Sequence, residues 1–546
     1  MVKILIITSL LFTMLACKEP ERKNVDLIIK NASIYSVDSV MSIYQSMAIV
    51  NGKIEAIGAN EEIEIKYTSS NLLDLSGKYI YPGLIDAHCH FLGYGLNKVT
   101  RAELSNSKSK EEVVKLLFDF SRHSINPWLE GRGWDQNNWL IKEFPSKAIL
   151  DSVFPDIPVY LIRVDGHAAW VNSKALALAK ITANTKVDGG EIIIENGEPT
   201  GILIDKAMSL VRDLIPEPNE DLKIQALQIA EEDCFKVGLT SIGDAGLSID
   251  EIKLIDSLQR TNQLNMRIYA MLEITKSEDL KQKNKKIKTD KLHFKSLKIY
   301  ADGALGSRGA LLLEPYSDSP TQQGIQVATS DFVQEVCRFA YNNEFQLNTH
   351  AIGDSAVRLM LNSYGEVLRE KNDLRWRIEH SQVVNENDFQ LYNKFSIIPS
   401  VQPTHATSDM FWADERLGKH RIKNAYAYKK LLEQNAWLAS GSDFPIENTN
   451  PLLGFYAAVF RADKRGKPDG GFQPENALSK EEALKSMTIW AAKAAFEENE
   501  KGSLEIGKFA DFIVCNKDFM KISAKEILDI EVEFTYQNGK IVFAKE

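Results

Sequence analysis

The chain of 546 residues is short of cysteine: there are five, at positions 17, 89, 234, 337 and 515, and no C-x-x-C pair among them. That scatter excludes a disulfide framework, and cysteines in apolar surroundings are expected to act as small buried hydrophobes. Positive charge is also in deficit, with 65 Lys and Arg against 75 Asp and Glu and no concentrated basic stripe. A nucleic-acid surface is therefore not expected, and a small molecule is the expected partner. Beyond residue 17 no apolar run approaches the roughly 20 residues that cross a bilayer. There is no internal repeat. What remains, 44% hydrophobic and 26% charged with 31 Gly and 17 Pro, is a globular composition able to bury a large core. Oligomeric state is not legible at this level, and a homo-oligomer stays open.

Met1-Val-Lys3 followed by the apolar run Ile4 to Ala16 has the charged head and short apolar middle of a secretory signal. The run ends in Met14-Leu-Ala-Cys17, which resembles a bacterial lipobox with Met14 in place of the usual Leu. Residues 1–17 are thus read as a signal peptide with Cys17 lipidated, and 18–24 as a polar tether. Export to the cell envelope follows, with a lipid anchor as the sole membrane attachment. The alternative is a plain signal peptide with an incidental cysteine.

From Asp26 to about Ile80 short β-type runs alternate with turns, and Asn51-Gly52 is a strong hairpin signal. The same texture returns only at the far end, where Asn538-Gly539 repeats the signal, so residues 25–81 and 500–546 are expected to pair into one composite β-sandwich. Between them, over 82–499, helical stretches alternate with short apolar strands ending in polar residues, the mark of repeated βα units and an α/β fold. Eight candidate strands lie near 84–88, 240–244, 267–272, 297–302, 346–350, 375–380, 396–402 and 437–443. Eight suggests a closed (β/α)8 TIM-like barrel. About 150 residues separate the first two, too many for one crossover, so an insert is placed at about 98–235, with a hairpin at 190–201. The lysine-rich run 276–291 reads as a solvated surface helix and loop.

Of the nine histidines, four fall at the C-terminal ends of proposed strands, the rim where barrel enzymes keep their chemistry. His88 and His90 are one residue apart, so on an extended strand they share a face and can grip one ion, while Cys89 faces away. His350 and His380 end the fifth and sixth strands and Asp443 the eighth. Four imidazoles and a carboxylate suit zinc or a related divalent ion, and such a site lowers the pKa of bound water to about 7. A carboxylate touching both ion and water is placed to take the water's proton, which gives Asp443 a catalytic role; orienting a ligand is its other use.

Taken together, Pro82-Gly-Leu-Ile-Asp-Ala-His-Cys-His, Asn348-Thr-His-Ala-Ile-Gly-Asp, Arg377-Ile-Glu-His-Ser-Gln and Ser440-Gly-Ser-Asp-Phe-Pro resemble the amidohydrolase superfamily. Gly133-Trp-Asp, Arg163-Val-Asp-Gly-His-Ala-Ala-Trp-Val-Asn and Lys298-Ile-Tyr-Ala-Asp-Gly-Ala-Leu-Gly-Ser-Arg are similar to the branch of N-substituted formamide deformylase. The resemblance implies His88, His90, Lys298, His350, His380 and Asp443 as metal ligands. It implies two ions in preference to one, zinc in first place, with Lys298 carboxylated and bridging them. The other reading is an unmodified Lys298 beside a single ion. His167 is a candidate to hydrogen-bond the scissile carbonyl oxygen. Trp134, Asp135, Ser307, Arg308, Gln402 and His405 are candidates to touch substrate.

The expected function is hydrolysis of a non-peptide carbon–nitrogen bond by metal-generated hydroxide, with Asp443 shuttling the proton to the leaving nitrogen. Cyclic amides, lactones and N-acyl amino acids are the alternative substrates. A surface lipoprotein that binds metal or ligand without turnover is the alternative outside enzymology.

Overall fold

The computed structural model describes residues 22–105, 107–281 and 285–546. Its central sheet has eight parallel strands, Leu84–Cys89, Leu239–Leu247, Arg267–Glu273, Leu292–Tyr300, Gln346–Ala351, Arg377–His380, Ile398–Val401 and Ala439–Ser440, each paired with the next. Backbone beyond the eighth strand closes the ring: the Asp443 N–H donates to the His88 carbonyl and the His90 N–H to the Phe444 carbonyl, both at 2.8 Å. The barrel expected from the sequence is present. All eight differ somewhat from their expected spans, the fourth and the eighth most. The fourth starts at Leu292 and stops at Tyr300, because the Asp302 carboxylate accepts the N–H groups of Leu311, Ile352 and Gly353 and organises loops instead of a ladder. The eighth is only two residues long.

Helices alternate with the strands, and their ends carry the signals that start them. Ser248 and Glu251 form a reciprocal capping box on Ile249–Arg260, and the Asn219 and Thr329 side chains cap Glu220–Lys236 and Ser330–Asn342. Outward-facing strand residues such as Ile242, Leu297, Leu347 and Ile378 share one core with helix residues Ala226, Ile255, Val336 and Met360. Cys89, Cys234, Cys337 and Cys515 are all free and buried.

The two ends of the chain meet in a β-sandwich. Phe512–Cys515 runs antiparallel to Tyr79–Pro82 on one side and to Val532–Gln537 on the other. A second sheet, built from Leu27–Lys30, Ser46–Val50, Lys53–Gly58 and Leu72–Asp74, packs on it through Ile29, Met47, Ile80, Phe512 and Val514. Asn51-Gly52 and Asn538-Gly539 both have positive φ at both positions, as two-residue hairpin turns of this kind require. The two tips touch: a Cβ added to Gly52 would lie 2.9 Å from the Asn538 Cβ. Arg267, at the foot of the third barrel strand, reaches into this joint. Its guanidinium bonds Asp511 at 2.6 and 3.1 Å and the Asn538 side chain at 2.6 Å.

The long connection after the first strand is a unit with its own sheet, in the order Arg101–Glu103, Leu129–Trp134, Val159–Arg163, Ala168–Val171, Glu198–Asp205, Gly190–Glu195. The last two form the hairpin, turning at Asn196-Gly197. One core packs around Trp134, Trp170 and Leu117, and a second around Trp128, Tyr160 and Leu203. Helix Glu220–Lys236 contributes Ala226 and Leu227 to the barrel core, so the barrel wall resumes before residue 235. Within the lysine-rich run, where a surface helix and loop were expected, the described residues hold a single turn of 3-10 helix, Asp279–Lys281, and a two-residue strand, Ile287–Lys288.

The signal segment and Cys17 lie outside the described residues. Of the polar stretch 18–24, Lys23–Asn24 is not free tether: it pairs in parallel with Tyr67–Thr68. Among the described residues no helix is long and apolar enough to cross a membrane.

Candidate functional site

A register shift in the first barrel strand aims the two leading histidines. Asp86 pairs with Ile242 and Cys89 with Asp244, so two residues stand opposite one. His88, within that shift, and His90, just after it, point to the mouth, while Cys89 turns into the surrounding core. His88 Nδ1 lies 2.7 Å from Glu379 Oε2, and His90 Nδ1 lies 2.8 Å from the Ala245 carbonyl. With those nitrogens taken, both rings present Nε2 to Asp443 Oδ1, at 3.5 Å from His88 and 3.2 Å from His90.

The sixth strand breaks alternation at its end. Glu379 and His380 are neighbours and would face opposite sides of a regular strand. His380 has φ 72° and Ser381 φ 45°, a left-handed turn that non-glycine residues enter at some cost. Glu379, following the outward Ile378, already faces the barrel interior and meets His88, and the turn brings the His380 ring in beside it. The His380 ring centre is 4.5 Å from that of His350 and 5.2 Å from that of His88. Asp443 is also left-handed, at φ 62°.

Lys298 is fully buried, with Nζ 3.3 Å from His88 Nε2. The other lysine of this strand, Lys295, lies over the Phe496 ring, away from the cluster. Two groups of three residues each bring donor atoms within 4.8 Å of one another: His88, His90 and Asp443, and His380, His405 and Asp443. His350 stands beside them, its Nε2 3.7 Å from Asp302 Oδ1.

Burial, reinforced by the Lys298 charge, pushes His350 down to about 3 and lowers His88; burial and the adjacent His350 hold His380 far below its ordinary value. These imidazoles are neutral, as metal ligands must be. Burial alone would raise the Asp443 carboxyl, but His405 and the other imidazoles around it hold it well below the usual range. Burial lowers Lys298, against the pull of Glu379 and Asp443. His350 Nε2, His380 Nδ1 and Asp443 Oδ1 are buried without a hydrogen-bond partner among the described residues. Buried polar atoms left so are costly, and a divalent cation is the group that this set of neutral imidazoles and one carboxylate fits.

The remaining candidates divide. His405 and Gln402 are buried at the mouth, after the seventh strand; His405 bonds Asp443, and the Tyr428 hydroxyl donates to the Gln402 carbonyl. Trp134 is not a pocket wall: it is 0% exposed within the insert's own core, its Nε1 donating to the Leu161 carbonyl. Asp135 is spent on Arg163 at 2.8 Å and on capping Asn137. The structure does not bring His167 to the cluster; its side chain is 74% exposed and bonded to Asp205. Arg308 is paired with Asp318, and Ser307 bonds the Ala304 carbonyl of its own loop. For Asp135, His167, Ser307 and Arg308 the hydrogen bonds shown stay with neighbouring loop residues.

Two functional groups escaped the sequence reading. Glu379 was hidden because alternation assigns a residue next to an inward histidine to the outer face. Glu447, which holds His405 at 3.1 Å, lies in an irregular loop with no periodicity to expose it.

Comparison with known proteins gives a match over residues 71–543 to a family described as the amidohydrolase family. The chain is 33% identical over 511 residues to YtcJ of Bacillus subtilis, covering 92% of this chain and 96% of that protein. It is 26% identical over 547 residues to N-substituted formamide deformylase of Arthrobacter pascens, covering 95% and 98%. Among solved structures, a metal-dependent hydrolase from Pyrococcus furiosus superposes with a TM-score of 0.76 at 28% identity, over 91% of this chain and 100% of that one.

Proposed function

The chain belongs to the amidohydrolase family, and from that premise we propose that it is a metal-dependent hydrolase of carbon–nitrogen bonds other than peptide bonds, with Asp443 as its proton-transfer group. The observation that carries the reading is the position of Asp443, common to both groups of metal-competent residues. A binding protein could use that carboxylate as a ligand alone, so loss of turnover with metal retained in Asp443→Asn is what separates the two readings. The similarity to N-substituted formamide deformylase supports an N-acyl or N-formyl substrate.

His88, His90, His350, His380 and Asp443 would hold the metal, with Lys298 beside His88 as a further ligand. Zinc, present in two as the favoured number, would polarise the scissile carbonyl and acidify water to a pKa near 7. Lys298, fully buried and with its ammonium form disfavoured, is suited to carboxylation, which would turn a repelled cation into an anionic ligand. Asp443 accepts the proton of the attacking water and returns it to the nitrogen as the carbon–nitrogen bond breaks. Glu379 and the Ala245 carbonyl fix the tautomers of His88 and His90, so that each ring offers Nε2. We further propose export and anchoring through Cys17, which rests on the apolar run Ile4 to Ala16 and the Leu-Ala-Cys that ends it.

The test is metal content per chain together with hydrolysis of para-nitroformanilide and a panel of N-acyl and cyclic amides. About two ions, turnover of a member of the panel, and an Asp443→Asn variant that keeps metal while losing turnover are the expected results. Protein that binds no metal after reconstitution overturns the reading.

A further inference from the structure

The two oxygens of Asp443 face different worlds. Oδ1 approaches the Nε2 atoms of His88 and His90 at 3.5 and 3.2 Å, yet it is buried without hydrogen-bond geometry to either. Atoms so arranged are near one another as fellow ligands of a shared cation are, not as donor and acceptor. Oδ2 is different: it is hydrogen-bonded to His405 Nε2 at 3.3 Å. The opposite nitrogen of that ring, Nδ1, lies 3.1 Å from Glu447 Oε1, and the same oxygen accepts from the Ser408 hydroxyl at 2.6 Å. His405 and Ser408 sit on helix Pro403–Asp409, after the seventh strand, whereas Glu447 follows Asp443 in the loop after the eighth. The chain Asp443, His405, Glu447, Ser408 therefore clasps two neighbouring rim loops across the site.

We propose that His405, anchored by Glu447, is a positioning residue that holds the Asp443 carboxylate with Oδ1 toward the metal and Oδ2 out as the proton acceptor. The proposal rests on the reading of Asp443 as the proton-transfer group. Its physical reason is a freedom that has to be removed. Asp443 lies beyond a two-residue strand, and its carboxyl group can rotate to turn both oxygens toward the cations. In that orientation no oxygen is left to take a proton from water. A histidine flanked by two carboxylates is a rigid spacer, and the second carboxylate keeps the ring from swinging away. The place of His405 in the second group of metal-competent residues then reflects its closeness to Asp443. Its Nε2 is occupied by Oδ2.

The test uses the full metal-loaded chain and the variants His405→Ala, His405→Gln and Glu447→Gln, read in three ways. Metal content is expected to equal that of the parent; loss of one ion in His405→Ala would make His405 a ligand and overturn the proposal. The visible spectrum of the cobalt-loaded protein is expected to shift in His405→Ala as the carboxylate reorients, and an unchanged spectrum overturns it. With para-nitroformanilide, or whichever amide of the panel is turned over, kcat is expected to fall about 10- to 100-fold at little-changed KM. A raised KM at constant kcat would assign His405 to substrate binding instead. Glu447→Gln, which retains a carbonyl acceptor and spares the buried ring should His405→Ala fold poorly, is expected to show a smaller fall in kcat. In the cycle with Asp443→Asn, the double variant is expected to be no slower than Asp443→Asn alone, since His405 acts through that group. If Asp443→Asn keeps full turnover, the proton-transfer reading fails. If it loses turnover while the His405 variants do not, only the positioning role fails.

Discussion

Glu379 and His88 form one buried unit, with Oε2 of the carboxylate 2.7 Å from Nδ1 of the imidazole and neither side chain exposed to solvent. Burial works against the carboxylate's charge, but the contact with His88 and the nearby Arg377 hold Glu379 down at about 2. The ring is thereby committed to offering Nε2, beside Lys298 and Asp443.

Glu379→Gln should preserve shape while removing that charge. Metal affinity is expected to weaken about 10- to 100-fold, as for other partners that orient ligating histidines, measured by competition with a chromogenic chelator. Parent-like affinity would show that His88 needs no anionic partner.

Arg267 and Asp511 join barrel to sandwich through a buried ion pair. Asp511→Ala leaves a buried guanidinium without its carboxylate and is expected to cost about 3–5 kcal/mol in denaturant unfolding. Arg267→Met combined with Asp511→Leu should recover much of the loss, because replacing both charges by apolar groups removes the desolvation penalty. A double variant as unstable as Asp511→Ala would contradict this.

Acid should loosen the barrel floor through Glu497. Burial would raise this carboxyl, but Lys501, His293 and Lys288 hold it well below the ordinary glutamate value. A depressed folded-state pKa means stability that is complete above the unfolded value, about 4.3, and is lost as pH falls below it toward the folded value. Unfolding midpoints followed down from about pH 6 are expected to drop on that limb. In Glu497→Gln the drop should be shallower, from a less stable starting point at neutral pH.

Trp134→Ala empties the core of the insert and should destabilise that unit by about 3–5 kcal/mol. Limited proteolysis is expected to cut between the first two barrel strands, while metal content stays at the parent level. Loss of metal would return Trp134 to the pocket.

The barrel, the sandwich and the central cluster were legible because each writes a repeating or paired signal. Strands ending in His88, His350, His380 and Asp443 are apolar runs closed by a polar residue, and Asn-Gly hairpins mark both ends of the sandwich. What stayed hidden depended on broken regularity. Glu379 faces inward after the outward Ile378, and the left-handed His380 brings its own ring to the same site, which alternation forbids. Glu447 meets His405 only through tertiary folding of two loops. The opposite case is Trp134, an aromatic residue in a long connection that was expected to wall the pocket and is buried in the core of the insert, while Asp135, His167 and Arg308 are paired within their own loops. Such connections first need a core and satisfied charges of their own, and Trp170, Arg163, Asp205 and Asp318 supply the partners.

The sandwich also sets an order of events during synthesis. Tyr79–Pro82 leaves the ribosome early, yet its antiparallel neighbour Phe512–Cys515 is among the last segments to be translated. At about 5–20 residues per second the wait is on the order of tens of seconds. Throughout that interval the nascent chain carries an apolar strand edge with no neighbour, open to pairing with other chains. The barrel is caught in the same delay, since Arg267 has no Asp511 until then. A protein joined this way completes one sheet of its sandwich last, and truncation near the carboxyl end should strand Tyr79–Pro82 as much as the residues removed.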